Sequence, residues 1–246
     1  MAAAVAAVPA PSRAETKSDA FAGRIPPISG QLYRKAGRIE VGLIGHRSIT
    51  DAFFTKYFAG VSGGYHFTES LSASVHFATG SAVNSGSSVL CSRSAGCGDA
   101  KDEMQFQVPG RIHMIYGAEI AWAPVYGKLN IVAERVAHFD LGILAGVDMI
   151  AHDQILSGRA PASGISDAAA LAASGGTPPT ETSVGGHVGL GVRIFLAEWV
   201  AARFQVKDYV YTVKVPNAGS GGDMQNQLFT EVGLSFFLPP HNRSTR

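Results

Sequence analysis

The sequence predicts an all-β chain, an eight-stranded antiparallel transmembrane β-barrel with one short periplasmic helix and three long outer loops. Three observations carry that prediction. Side chains alternate between apolar and polar in about eight stretches, with the period of two that belongs to extended strands. Charged residues make up only 16% of the chain, against roughly 25% in a typical soluble domain, so much of the surface is not built for water. The connections between stretches alternate between long and mostly short, the asymmetry of outer-membrane barrels. Glycine, at 29 of 246 residues, exceeds the usual ~7% and often sits inside apolar runs, as crowded or bent strands require. No run approaches the ~18 consecutive apolar residues of a spanning helix, so strands must do the crossing. A net charge of +1 without a basic block leaves no footprint for nucleic acid.

The chain divides into residues 1–33, 34–239 and 240–246. The first reads as a signal-like segment and linker: MAAAVAAVPAPSRA ends in the small and polar residues of a cleavage region but lacks a basic start, and Pro26 and Pro27 follow. The last is a tail. Between them the barrel begins with Ile39, Val41 and Leu43 opposing Arg38, Glu40 and Gly42. A second strand sets Tyr57, Ala59, Val61, Tyr65 and Phe67 against Lys56, Phe58, Ser62, Gly64 and His66. After a turn at 68–70, the third sets Leu71, Ala73, Val75 and Phe77 against Ser72, Ser74, His76 and Ala78.

A polar Ser/Gly segment at 80–108 leads to a fourth strand. There Ile112, Met114, Tyr116, Ala118, Ile120 and Trp122 face one way and Arg111, His113, Gly117 and Glu119 the other, up to Pro124. Over 125–137, Val125, Leu129, Val132 and Val136 recur at spacings of four, three and four, which suits an amphipathic helix. A fifth strand opposes Phe139, Leu141, Ile143, Ala145, Val147 and Met149 to Asp140, Gly142, Gly146 and Asp148. The second long loop, 151–184, has at most one or two helical turns at 166–173, which Ser166 would cap. Two further strands follow, at 187–196 and 199–208. Asp208 lands on the apolar parity and implies a bulge or the end of the apolar band. After the loop at 215–224, the eighth strand alternates Leu228, Thr230, Val232, Leu234, Phe236 and Leu238 with Phe229, Glu231, Gly233, Ser235 and Phe237. This strand should pair with the first and close the barrel.

Alternation alone does not decide which face is outside, because a soluble lipocalin-type barrel alternates too. The polar face decides it. Arg38, Lys56, Arg111, Arg193, Arg203 and Lys207 are matched there by Glu40, Glu119, Asp140, Asp148 and Glu231 among glycines. Balanced charge among small residues suits a narrow packed lumen in which each buried ion needs a partner. On the apolar face, Tyr57, Phe67, Trp122 and Phe236 lie near strand ends, as an interfacial girdle would. This lumen charge network is the site the sequence singles out, and its expected task is structural.

Other chemistry is thin. Cys91 and Cys97, in one outer loop of an exported protein, are expected to form a local disulfide. His46, His66, His76, His113 and His187 share lumen parity, but their spacing matches no metal-ligand motif, so they read as hydrogen-bonding filler. No serine sits in a nucleophile-like motif. GGHVGLG precedes a strand, not a phosphate-binding helix. No catalytic residue, cofactor or metal is assigned.

The segment 231–238 resembles the assembly signal of the last strand in bacterial outer-membrane barrels: Glu231, then Gly233, then Phe236 and Leu238. It departs from that pattern because the chain continues to Arg246. APVYGK, AHFDLGILAG, GGHVGLGVRIFL, VAARFQVKDYVY and NQLFTEVGLSFFLP further resemble the outer-membrane beta-barrel domain family abundant in myxobacteria and related bacteria. That resemblance spans about 34–239. It implies a bacterial outer-membrane location, contact with outer-membrane lipid and the barrel-assembly machinery, and a periplasmic or envelope protein partner, in some relatives within gliding-motility or other trans-envelope assemblies. The expected role is a non-enzymatic anchor or interaction component with a plugged lumen. The alternatives are a small or gated channel and a lipid-modifying membrane enzyme.

Overall fold

The structure is a computed structural model that describes residues 33–51, 53–85, 89–92, 96–99, 106–107, 111–132, 135–157, 164–214 and 222–238. The signal-like segment and the C-terminal tail lie outside these residues. The strands are β1 (Ile39–Ser48), β2 (Phe54–His66), β3 (Leu71–Asn84), β4 (Val89–Ser92), β5 (Gly96–Asp99), β6 (Ile112–Val132), β7 (Arg135–Asp153), β8 (Thr180–Ala197), β9 (Val200–Val213) and β10 (Asp223–Leu238), with one helix, α1 (Asp167–Ser174). Eight strands close in the order β1, β10, β9, β8, β7, β6, β3, β2, and every neighbouring pair is antiparallel. Closure is by β1 on β10, in continuous register from Ile39 opposite Leu238 to Ser48 opposite Phe229. The remaining two strands, β4 and β5, form a separate hairpin in an outer loop.

The exterior is apolar along its length. Val41, Leu43, Val61, Val75, Ile120, Ile143, Val188, Val232 and Leu234 are all exposed, and Val147 and Leu190 reach 66% and 64%. Charge lies on the other side of the wall: Glu40, Glu119, Asp140, Asp148, Arg203, Lys207 and Glu231 are buried. An apolar outside around a charged inside is the reverse of a soluble barrel, and it defines a wall made for lipid. At the end with short turns, Tyr65, Phe67, Trp122 and Trp199 are exposed, with Trp199 stacked on Phe236 at 6.1 Å. Amphipathic rings at one level form an interfacial girdle.

Four expectations are corrected or refined. The described residues of 125–137 are strand, not helix: β6 and β7 stay paired from Val125 opposite Leu141 to Val132 opposite Arg135. β6 leaves β3 at Trp122, while β7 keeps β8 as far as His138 opposite Phe195, so the β6–β7 extension stands beyond the barrel wall only past Lys128 and His138, on the short-turn side. The apolar spacing came from two paired strand segments, not from 3.6-residue periodicity. Second, a bulge between Ile112 and Met114 inverts the parity at the start of β6, so Ile112 is fully buried and His113 exposed; one extra residue moves every side chain before it to the other face. Third, β9 passes Asp208 without a bulge. Asp208 marks the band's edge instead, since Thr212 and Asn226 follow on the exposed face. The helical turns expected at 166–173 are there: Ser166 caps α1 by accepting from the Ala169 amide at 3.1 Å, and Gly175 ends it in the left-handed region at φ 65°, which glycine adopts without strain.

Two predictions follow from the wall and its loops. Val147→Arg, a charge placed on the lipid face, should cost about 2–4 kcal/mol near the bilayer midplane, read by equilibrium unfolding in lipid vesicles; an unchanged midpoint would contradict a lipid-facing Val147. In the β4/β5 hairpin, Cys91 stands directly opposite Cys97, the register of a cross-strand bridge. A thiol count on unreduced protein is expected to find none, and two would exclude the disulfide.

Candidate functional site

Eight strands leave an interior only wide enough for side chains, and three layers fill it. At the short-turn end the floor is aromatic: Phe195, Ala201 and Phe237 cluster with Tyr33 and Tyr126. Tyr33 stacks on Phe195 at 5.3 Å, and the guanidinium groups of Arg38 and Arg193 lie over Phe237 at 5.3 and 5.7 Å. Toward the outer end Ile44, Phe58, Ala78, Ile115, Ile150, Tyr209 and Phe229 form a buried apolar layer, with Phe58, Tyr209 and Phe229 packed edge to face. Charges occupy the space between.

Those charges form one unbroken chain. Lys35 pairs with Asp140, and Arg193 reaches both Asp140 at 3.9 Å and Glu40 at 2.9 Å. Glu40 also accepts from Arg203 at 3.3 Å and meets His66 at 2.7 Å. Arg203 continues to Glu231 at 3.6 Å, and Lys207 bridges Glu231 and Glu119 at 2.9 and 2.8 Å. From Glu119 the chain passes to His187 at 3.0 Å, to Asp148 at 2.6 Å and to His76 at 2.9 Å. Every wall strand except β2 holds a link of this run, and β2 contributes His66 and Ser62, whose hydroxyl accepts from Arg203 at 2.9 Å. The alternation of sign is what allows so many ions in one low-dielectric space.

Eight of the eleven network residues named from the sequence therefore meet. The other three sit at the ends. Arg38 donates to the carbonyls of Arg34, Glu198 and Phe237 at the floor. Lys56 binds Asp51 and Gln227 toward the outer mouth. Arg111 lies over the rings of Phe54 and Phe106 at 5.1 and 5.5 Å. Sequence reasoning missed Lys35, which belongs to no strand and carries no periodic signal, and it missed the inward aromatics that close both ends.

His113 leaves the lumen set: it is exposed and pairs with Asp153 at 2.5 Å. At the outer rim His152 Nε2 lies 2.9 Å from Ser183 Oγ, the serine–histidine juxtaposition among the described residues that bears on hydrolysis. The serine proton is committed to the Thr212 carbonyl at 2.6 Å, and the other ring nitrogen of His152 meets the Asp153 carbonyl, not an acid. An activated nucleophile needs the opposite polarity, with the serine donating to the ring.

The geometry defines a class: a closed membrane barrel with a filled, charge-paired interior. No protein-family model matches the chain, and no curated protein matches it in sequence. Among solved structures it is similar to the N-terminal beta-barrel domain of Pseudomonas aeruginosa OprF (9% identity, 82% of this chain and 98% of that one, TM-score 0.45). It is also similar to Neisserial surface protein A (11%, 81% and 94%, TM-score 0.39) and to the Pseudomonas aeruginosa outer membrane protein OprG (12%, 83% and 97%, TM-score 0.35).

The ladder makes a direct prediction. Lys207, 2% exposed, is the sole Lys or Arg on Glu119 among the described residues, so Lys207→Met should cost about 3–5 kcal/mol by leaving buried carboxylates short of a partner. Adding Glu119→Gln should recover part of that loss. Urea unfolding in vesicles reads both; strict additivity in the double-mutant cycle would mean the pair is not coupled.

Proposed function

We propose that the protein is a non-enzymatic barrel of the bacterial outer membrane that serves as a structural anchor or interaction component of the cell envelope. The observation that supports this reading is the lumen: among the described residues an aromatic floor, a charge ladder and an apolar layer fill it, and the cavity beside Lys35, Asp140 and Arg193 is about 40 Å³, room for little more than a water molecule. Surfaces remain for contact at the two ends. The outer end offers the β4/β5 hairpin and α1, and the inner end the β6–β7 extension, which takes over the docking role expected of a periplasmic helix. The partner on that side is an envelope protein, and the resemblance to myxobacterial barrels favours a trans-envelope assembly of the motility type. Barrel-assembly machinery is the partner during biogenesis, reading Phe236 and Leu238 on the lipid face of β10, while Glu231 and Gly233 face inward.

Planar-bilayer reconstitution tests the plugged lumen. Steady conductance is expected to be absent from the wild type and to appear in a Phe58→Ala/Phe229→Ala variant that opens the outer layer. A large steady conductance in the wild type would replace the anchor reading with the channel reading.

A further inference from the structure

The ladder is charge-matched until its last links. Four cations, Lys35, Arg193, Arg203 and Lys207, face five carboxylates, Asp140, Glu40, Glu231, Glu119 and Asp148. The odd one out is Asp148. Among the described residues it has no lysine or arginine partner, only His187 and His76. Asp148 is thus a fully buried carboxylate held by imidazoles alone, the one link of the ladder without a lysine or arginine.

We propose that His76, Asp148 and His187 form a binding site for a divalent first-row transition cation of the zinc class. One ligand atom from each lies within 4.8 Å of the other two, and all three residues are buried. Two imidazoles and one carboxylate are a donor set for borderline cations, not for calcium or magnesium, which take oxygen. Each histidine now stands 2.6 or 2.9 Å from an oxygen of Asp148, and the three ligand atoms lie within 4.8 Å of one another; a tetrahedral zinc with bonds of about 2.0–2.2 Å would space its ligand atoms about 3.4 Å apart, inside that range.

Three independent features point to a cation at this place. Both ring nitrogens of His76 and Asp148 Oδ1 are buried without an aligned hydrogen bond, although His76 Nε2 and Asp148 Oδ1 lie at ion-pair distance. Orphaned polar atoms of this kind ask for an ion or a water. The surrounding wall is cut back: a Cβ on Gly117 would strike Asp148 Oδ1, and one on Gly146 would strike the His187 ring. Finally, the outer support is already present. His187 Nε2 meets Glu119 Oε2 at 3.0 Å, the carboxylate that a metal-bound histidine uses to fix its tautomer and orientation.

The exchange balances. Both nitrogens of His187 now face carboxylates, and only a doubly protonated ring donates at both. On binding, the Nδ1 proton leaves to solvent and its lone pair goes to the cation, while Nε2–H stays on Glu119. His76 supplies an Nε2 lone pair and Asp148 an oxygen. One proton is released for each cation bound. The site stands whether or not the barrel serves as an anchor, since it depends on the inner wall alone.

Full-length protein folded in detergent, stripped with chelator and titrated with Co²⁺ tests this, with zinc content measured after refolding in Zn²⁺. The expected result is one equivalent per chain, a visible Co²⁺ spectrum of imidazole ligation and release of one proton near neutral pH. His76→Gln and Asp148→Asn should weaken binding by more than the about 10–100-fold typical of losing an outer-shell partner, whereas His113→Gln, at the exposed rim, should leave it intact. Substoichiometric metal in the refolded wild type, or binding that survives both lumen variants, would overturn the site. If the lumen variants fail to fold, X-ray absorption of the wild type loaded with Zn²⁺ decides: two imidazoles support the site, and none refutes it.

Discussion

The narrow bore of an eight-stranded barrel is the constraint from which the rest of this structure follows. Because the interior holds side chains and nothing larger, each inward residue must be packed against a neighbour or paired with an opposite charge. The chain meets both demands by layering. Aromatic and aliphatic groups close the two ends, where Phe195 and Phe237 meet at one and Phe58 and Phe229 at the other. The ions, which cannot be left unpaired at such low polarity, gather between them in the run from Lys35 to His76. Glycines fall where the ladder needs room, so that Arg203 and Ser62 crowd the position of Gly42 without a side chain in the way.

A buried ion network is weak evidence of net stability, because desolvation offsets most of the Coulomb gain. Its stronger effect here is on register. A slip of one residue in any wall strand exchanges the two faces. On β9 it would set Arg203, Gln205 and Lys207 against lipid and bring Phe204 and Val206 inside; each exposed cation would cost about 2–4 kcal/mol at the midplane and strand its partner in the lumen. On β1, which carries Glu40 at the centre of three basic groups, the same slip would unpair the ladder at its middle. The closing register of β1 on β10 is therefore specified from inside the barrel as well as by its apolar exterior.

Most of this was legible because period-two alternation survives in a wall that meets lipid on one side and ions on the other. All eight wall strands, their antiparallel order and the pairing of the last strand with the first could be read that way. What failed had local causes. Past Trp122 β6 has no strand partner but β7 among the described residues, and past His138 β7 has lost β8, so the lipid face no longer imposes alternation there, and hydrophobic residues on two paired segments imitated a helix. At Ile112 a single bulge reversed the parity that the sequence continued without a break. Phe58, Phe195, Phe229 and Phe237 carried no sign of direction, since an aromatic on the polar parity can cap a lumen as well as interrupt it. Lys35 was invisible because its place in the ladder comes from tertiary docking of a segment outside every strand. The convergence of His76, Asp148 and His187 likewise comes from three strands, β3, β7 and β8, and no spacing along the chain encodes it.

Lys35 also ties the segment leading into β1 to the end of the charge ladder. Its amide donates to Glu69 in the β2–β3 turn at 2.8 Å, its ammonium enters the lumen to Asp140, and Tyr33, two residues before it, stacks on Phe195 and meets His138 edge-on. The chain leading into β1 is thus held at the mouth from which the β6–β7 extension projects, and Tyr126 of that extension is bonded to His138 at 2.7 Å. Both segments share His138, which stands two residues from Asp140. A protein that grips the extension or the leading segment from the periplasmic side pulls on the same residues that end the charge ladder. Load applied there would pass into a lumen of paired ions and packed rings.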